Sequence, residues 1–189
     1  MDLITLEEYK AYVGISSPNQ DDVINSLIPK VSKFVKTYCR RSFIDWVDEQ
    51  KTEVFRGGDA LNLAEFPVIS IAGVEVSEDF GKTYESLVEY TDWVLDQKTE
   101  QILPLEGVGY TFSNLVNGYR VTYTAGYEEL PEDLKLAVLD MVTYYLKNDP
   151  AVHSTKAPGT NSVQIEYIST TNLPAHIKRV LDLYMSNYN

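Results

Sequence analysis

Few residues in this chain are of types that do chemistry, and their spacing brings none of them together. Across 189 residues there are 2 histidines, 1 cysteine and 28 Asp and Glu. The histidines, His153 in a polar stretch and His176 in the last helical stretch, have no His, Cys or carboxylate partner at a metal-ligand spacing. Each reads as a surface or capping residue rather than a catalyst. Cys39, being alone, cannot form an intrachain disulfide, and its place on an apolar helical stripe reads as packing. No serine sits in a G-x-S-x-G elbow. The glycines Gly57-Gly58, Gly107 and Gly109 lack the strand-turn-helix context and the lysine of a phosphate loop. Glycoside hydrolysis needs two carboxyls held about 5 Å apart, which a linear sequence does not place. The acids here are dispersed as Glu7-Glu8, Asp21-Asp22, Glu78-Asp79 and Glu128-Glu129, which reads as a solvated surface. The expectation is therefore no catalytic residue, no cofactor and no metal, with a soluble enzyme carrying a diffuse carboxylate site as the weaker alternative.

Charge narrows the partners. With 16 Lys and Arg against 28 Asp and Glu the net charge is −12, so the field of the whole chain repels phosphate backbones. Sequence-specific nucleic-acid binding is disfavoured, whereas a ring of acidic copies would let DNA pass through its lumen without sticking. No run of about 18 apolar residues is present to span a membrane. The start, MDLITLEEYK, lacks the basic-then-apolar order of a signal peptide, so the chain is expected in the cytoplasm.

The elements that would position any site follow from periodicity. Thr5-Leu6-Glu7-Glu8 has the spacing of a capping box, and Leu6, Tyr9 and Val13 follow at helical intervals before Gly14. Ser17-Pro18-Asn19-Gln20 predicts a second helix start, with a stripe from Val23 to Cys39 and a kink at Pro29 or a break near Leu27. From about Ser42 to Gly126 short alternating segments predict an antiparallel module of five or six strands, at 52–56, 60–63, 68–76, 93–95, 101–103 and 118–124. Tyr119, Val121 and Tyr123 point to one face of the last of these. Gly126 then turns the chain into a helix that begins at Leu130-Pro131-Glu132-Asp133. Its two apolar stripes are Leu134, Ala137, Val138, Met141, Tyr145 and Leu136, Leu139, Val142, Leu146, predicting burial on several sides.

Beyond that helix, residues 148–162 read as an exposed loop, and Val163, Ile165 and Tyr167 alternate as a short strand or arm. Leu173-Pro174 opens a final helix with the stripe Ile177, Val180, Leu181, Tyr184, Tyr188. The 14 tyrosines suit positions with one apolar and one wet end: core edge for the strand residues, interface for Tyr184 and Tyr188. The fold class is α+β: a helical core over 1–44 and 127–189, built of two N-terminal helices, a long central helix and a C-terminal helix. An antiparallel β-module over 45–126 is inserted into it. This α-β-α order disfavours Rossmann and barrel enzymes.

Taken in order, LITLEEYKAYVGI, DDVINSLIPKVSKFVKTYCRRSF, LNLAEFPVISIAGVEV and VTYTAGYEELPEDLKLAVLDMVTYYL resemble the head-tail connector, or adaptor, proteins of tailed bacteriophages and prophages. The resemblance covers nearly the whole chain and implies a structural, non-enzymatic subunit of the virion neck, made in the cytoplasm of the host bacterium. It implies a homo-oligomeric, twelve-fold ring between the portal protein and a tail-side stopper or tail-completion protein, through which DNA passes. The segment from Leu173 to Asn189 would reach the portal. Ile177, Val180, Leu181, Tyr184 and Tyr188 are then the expected portal or intersubunit contacts, and His153, Lys156 and Asn161 the expected intersubunit or lumen contacts. The β-module is larger than in the smallest such proteins and would extend the outer wall or meet the tail-side partner. The alternative within the neck is a stopper or tail-completion protein.

Overall fold

The computed structural model describes residues 1–105, 111–147, 153–156, 163–166 and 173–186. They divide into two compact units, Met1–Arg40 with Leu130–Met185, and Arg41–Glu129 with Ser186–Asn189.

The helical unit begins with α1 (Leu6–Val13), whose capping box forms as the sequence predicts: Thr5 Oγ1 accepts from the Glu8 amide at 3.2 Å and Glu8 Oε2 from the Thr5 amide at 2.8 Å. Gly14 closes it in the left-handed region, φ 70°. α2 (Asp21–Cys39) starts later than expected. Ser17 and Pro18 are spent on a turn in which the Pro18 carbonyl accepts from the Asp21 amide, so the helix opens on Asp21 and Asp22, which complement its positive end. The break near Leu27 does not occur; α2 runs through Pro29. Pro29 and Asn25, whose carbonyl loses its donor to the proline, are both exposed, so the missing hydrogen bond falls on the solvent side of the helix.

α3 (Glu132–Lys147) buries Leu134, Ala137, Val138 and Met141 completely, but its second stripe splits: Leu139 and Val142 are buried while Leu136 is 46% exposed. α4 (Ala175–Leu183) buries Ile177 and Leu181. Together with Ile24, Ile28, Val31 and Val35 of α2 these side chains form the unit's core. Between α3 and α4, His153–Lys156 (β8) and Val163–Glu166 (β9) pair antiparallel, with His153 opposite Glu166 and Lys156 opposite Val163. The second strand matches its expectation. The first corrects the expected loop, because Val163 and Ile165 supply a partner strand that local composition does not reveal. The loop residues 148–152 and 157–162, with Tyr167, lie outside the described residues.

The β unit holds seven strands among its described residues: β1 (Lys51–Phe55), β2 (Leu61–Asn62), β3 (Val68–Val76), β4 (Glu85–Leu87), β5 (Trp93–Asp96), β6 (Gln101–Pro104) and β7 (Tyr119–Ala125). One sheet has the order β1-β7-β3-β4 and the other β2-β6-β5, all antiparallel. β4 is the addition to the predicted set; its short Glu-Ser-Leu run has no legible alternation and forms because Val74 to Val76 offer it a ladder. β7 alternates buried and half-buried as expected, and Val74, Val121, Tyr123, Leu61, Trp93 and Ile102 fill the core beneath both sheets. Gly126 (φ 123°) ends β7 where any Cβ would collide with the Phe43 carbonyl.

Candidate interaction surface

α4 is the element on which the expected contacts concentrate, and the structure sorts them by depth. Ile177 and Leu181, one turn apart, are 1% and 0% exposed. Burying two such side chains stabilises the docked helix by roughly 1.5–3 kcal/mol each. The Cys39 thiol donates to the Leu181 carbonyl at 3.5 Å, which ties the end of α2 to the middle of α4 and places Cys39 in packing. Val180 and Tyr184 are half-buried, and Leu183, outside the expected set, stands 75% exposed. Tyr188 and Asn161 lie outside the described residues, and His153 and Lys156 occupy the two ends of β8.

Polar contacts clamp the same helix. Tyr38 Oη donates to Asp182 Oδ1 at 2.6 Å, Lys178 Nζ pairs with Asp182 Oδ2 at 2.6 Å, and Tyr184 Oη donates to Asp133 Oδ1 at 2.6 Å. The Lys178 and Tyr38 hydrogen bonds hold the Asp182 carboxyl below its usual range, and the bond to Asp182 pushes the Tyr38 phenol up. His176 Nε2 lies 3.6 Å from Asp140 Oδ2, an ion pair whenever the imidazole is protonated. Asp140 also accepts from Tyr12 Oη at 2.7 Å, so α1, α3 and α4 share one carboxylate.

The β unit contains the most buried titratable cluster, and sequence reading missed it. Both carboxylate oxygens of Glu65, a 2% exposed residue, accept from the Ser42 amide at 2.9 Å, and Lys51 Nζ stands 3.2 Å away. Lys51 also pairs with Glu53 at 2.6 Å, and Glu53 accepts from the Ala64 amide at 3.1 Å. The Glu65 amide donates to the Tyr123 phenol. Burial pushes the Tyr123 phenol up, and the negative charge of Glu53 adds to it. Burial opposes the charge on Lys51, but its pairing with Glu53 and Glu65 prevails and raises it. Beside them the buried Arg41 lies with its guanidinium carbon 3.4 Å from the Phe66 ring centroid and donates to the Phe66 carbonyl. These carboxylates are taken up by amides and a lysine, which makes the cluster a brace for the 41–66 segment. Tyr119 and Tyr123 likewise lie inside the core rather than at its edge, each hydroxyl accepting a backbone amide.

Among the described residues no group of three His, Cys, Asp or Glu is placed to hold a metal ion, and no helix is long and apolar enough to cross a membrane. A hollow of about 480 Å³ is lined by Glu53 to Gly57 and Ala60 to Asn62, with one carboxylate, Glu53, which is already paired with Lys51.

The helical unit carries α4 under polar contacts from Tyr38 and Asp133, and in the β unit the buried acids brace their own backbone. The chain belongs to the head completion protein family, whose model matches residues 2–186. A chain of a solved structure described as the neck of an empty GTA particle computed with C6 symmetry shares the fold at TM-score 0.53 and 14% identity, covering 99% of this chain and 91% of that one. No curated protein matches the sequence.

Proposed function

We propose that this chain is a structural subunit of the neck joining head to tail in a tailed phage or phage-like particle. It acts there as the adaptor: a homo-oligomeric ring docked on the portal protein, which DNA crosses during retention and ejection. The observation that carries the reading is the match of the head completion family to residues 2–186. The shared fold with a neck solved under six-fold symmetry supports a ring, and six-fold symmetry accommodates a ring of twelve. The net charge of −12 suits a lumen that DNA slides through.

The contact surface in this reading is the outward side of α4. Ile177 and Leu181 hold α4 to its own unit, so the portal or a neighbouring subunit meets Val180, Leu183 and Tyr184. The β8–β9 pair, with His153 and Lys156 on its first strand, is the intersubunit or lumen arm. A two-stranded ribbon is marginal alone in water, and a neighbouring copy would complete it. The test is genetic. Particles assembled without this chain should have filled or leaking heads and no attached tails, and wild-type levels of tailed, infectious particles would refute the reading.

A further inference from the structure

The charge of this chain is unevenly divided. The β unit, residues 41–129, carries 17 Asp and Glu against 6 Lys and Arg, a net of −11, whereas the helical unit has 11 against 10, a net of −1. Within the balanced unit, Val23 to Arg40 contains no carboxylate at all. Lys30 and Lys33 lie three residues apart, a spacing that keeps them on one side of α2, and Arg40 stands at its C-cap in the left-handed region, φ 57°. All three are exposed, and among the described residues no carboxylate pairs with them. The same side presents Val23 at 55% and Phe34 at 37% exposure. The complement is offered by residues 78–90, which hold β4, an edge strand of the four-stranded sheet, and the segments on either side of it. In that segment Glu78, Glu85 and Glu89 are exposed, with one exposed cation, Lys82, and Phe80, Val88 and Tyr90 at 66%, 59% and 75% exposure.

We propose that the basic side of α2 docks on the acidic, aromatic β4 edge of a second copy of this chain, forming the head-to-tail contact between ring subunits. This rests on the ring reading above. Opposite charges flank apolar side chains on both surfaces, the arrangement of a polar rim around an apolar centre. Each copy bears one surface of each kind, so using both once per subunit propagates a heterologous contact until it closes. Two α2 sides facing each other would set like charges together. A DNA duplex is the less suitable occupant, since an acidic β unit accompanies every copy.

Charge reversal with a mixing arm tests this. K30E/K33E has acid on both surfaces, and E85K/E89K replaces two acids, one in β4 and one just after it, with lysine. All four positions are exposed, and each variant's circular dichroism and melting should match wild type. By native mass spectrometry at about 50 mM salt, where exposed charges are least screened, each variant alone should assemble at least tenfold more weakly than wild type. An equimolar mixture should recover rings with the two variants alternating. Wild-type-like assembly of K30E/K33E alone, or a mixture that gains nothing, overturns the contact. So does K30E/K33E that assembles normally but loses binding to a 30-base-pair duplex. Wild type that forms no ring, in solution or on portal particles, overturns the ring reading itself.

Discussion

Replacing Leu181 by alanine separates the inner side of α4 from its outer side. Leu181 is 0% exposed, and its carbonyl accepts the Cys39 thiol of α2. Truncating a buried leucine costs about 2–5 kcal/mol, the lost transfer energy plus the cavity left behind. α4 spans only Ala175–Leu183, so this loss is felt first as undocking of the helix. Trypsin reports that event directly, because Lys178 and Arg179 lie within α4 and must leave the helix to be cleaved. When opening is fast relative to cleavage, the rate follows the open population, and about 3 kcal/mol corresponds to a rise of roughly 100-fold. Leu183→Ala is the matched control: at 75% exposure it should change cleavage less than about 2-fold while weakening attachment to portal particles. Equal cleavage of Leu181→Ala and wild type would refute the assignment of the inner side. Unchanged attachment of Leu183→Ala would refute the assignment of the outer side.

Glu65→Ala strips the Ser42 amide of its acceptor while Lys51 keeps Glu53, and should cost about 1–3 kcal/mol in urea unfolding followed by tryptophan fluorescence. Gly126→Ala should destabilise by more than about 1 kcal/mol in the same assay, because φ is 123° and the new Cβ meets the Phe43 carbonyl. Asp79 accepts from the Thr83 amide and hydroxyl and from the Ser77 hydroxyl, which hold its carboxyl down at about 2. Since the folded value lies below the ordinary 3.8, the loop between β3 and β4 keeps this cap fully above about pH 4 and loses it as pH falls through about 2. The protection of the Thr83 amide, its exchange rate taken relative to the intrinsic rate at each pH, should follow that window in the wild type and be lost at every pH in Asp79→Ala.

Features written in neighbouring residues were legible from the sequence. The capping box at Thr5–Glu8, the full span of β3, and the alternation of Tyr119, Val121 and Tyr123 all emerge where local chemistry points to them. Features made by distant partners were not. β4 depends on Val74 to Val76, β8 depends on β9, and Glu65 meets Lys51 across 14 residues. The start of α2 shifted because Ser17-Pro18, a plausible helix opening, serves equally well in a turn. For α4 the stripe itself was readable. Which body it covers was not, since Ile177 and Leu181 would look the same whether they faced a partner or their own unit. The acid-free stretch from Val23 to Arg40 is visible in the sequence, but only burial shows that Lys30 and Lys33 stand on an open side of α2.

Electron microscopy of this chain mixed with purified portal rings tests the central claim most directly. The account predicts an added layer on one face of the portal, rotationally symmetric and into which the helical and β units fit, with an open central channel. Portal rings that remain bare at saturating concentrations of the chain would contradict it.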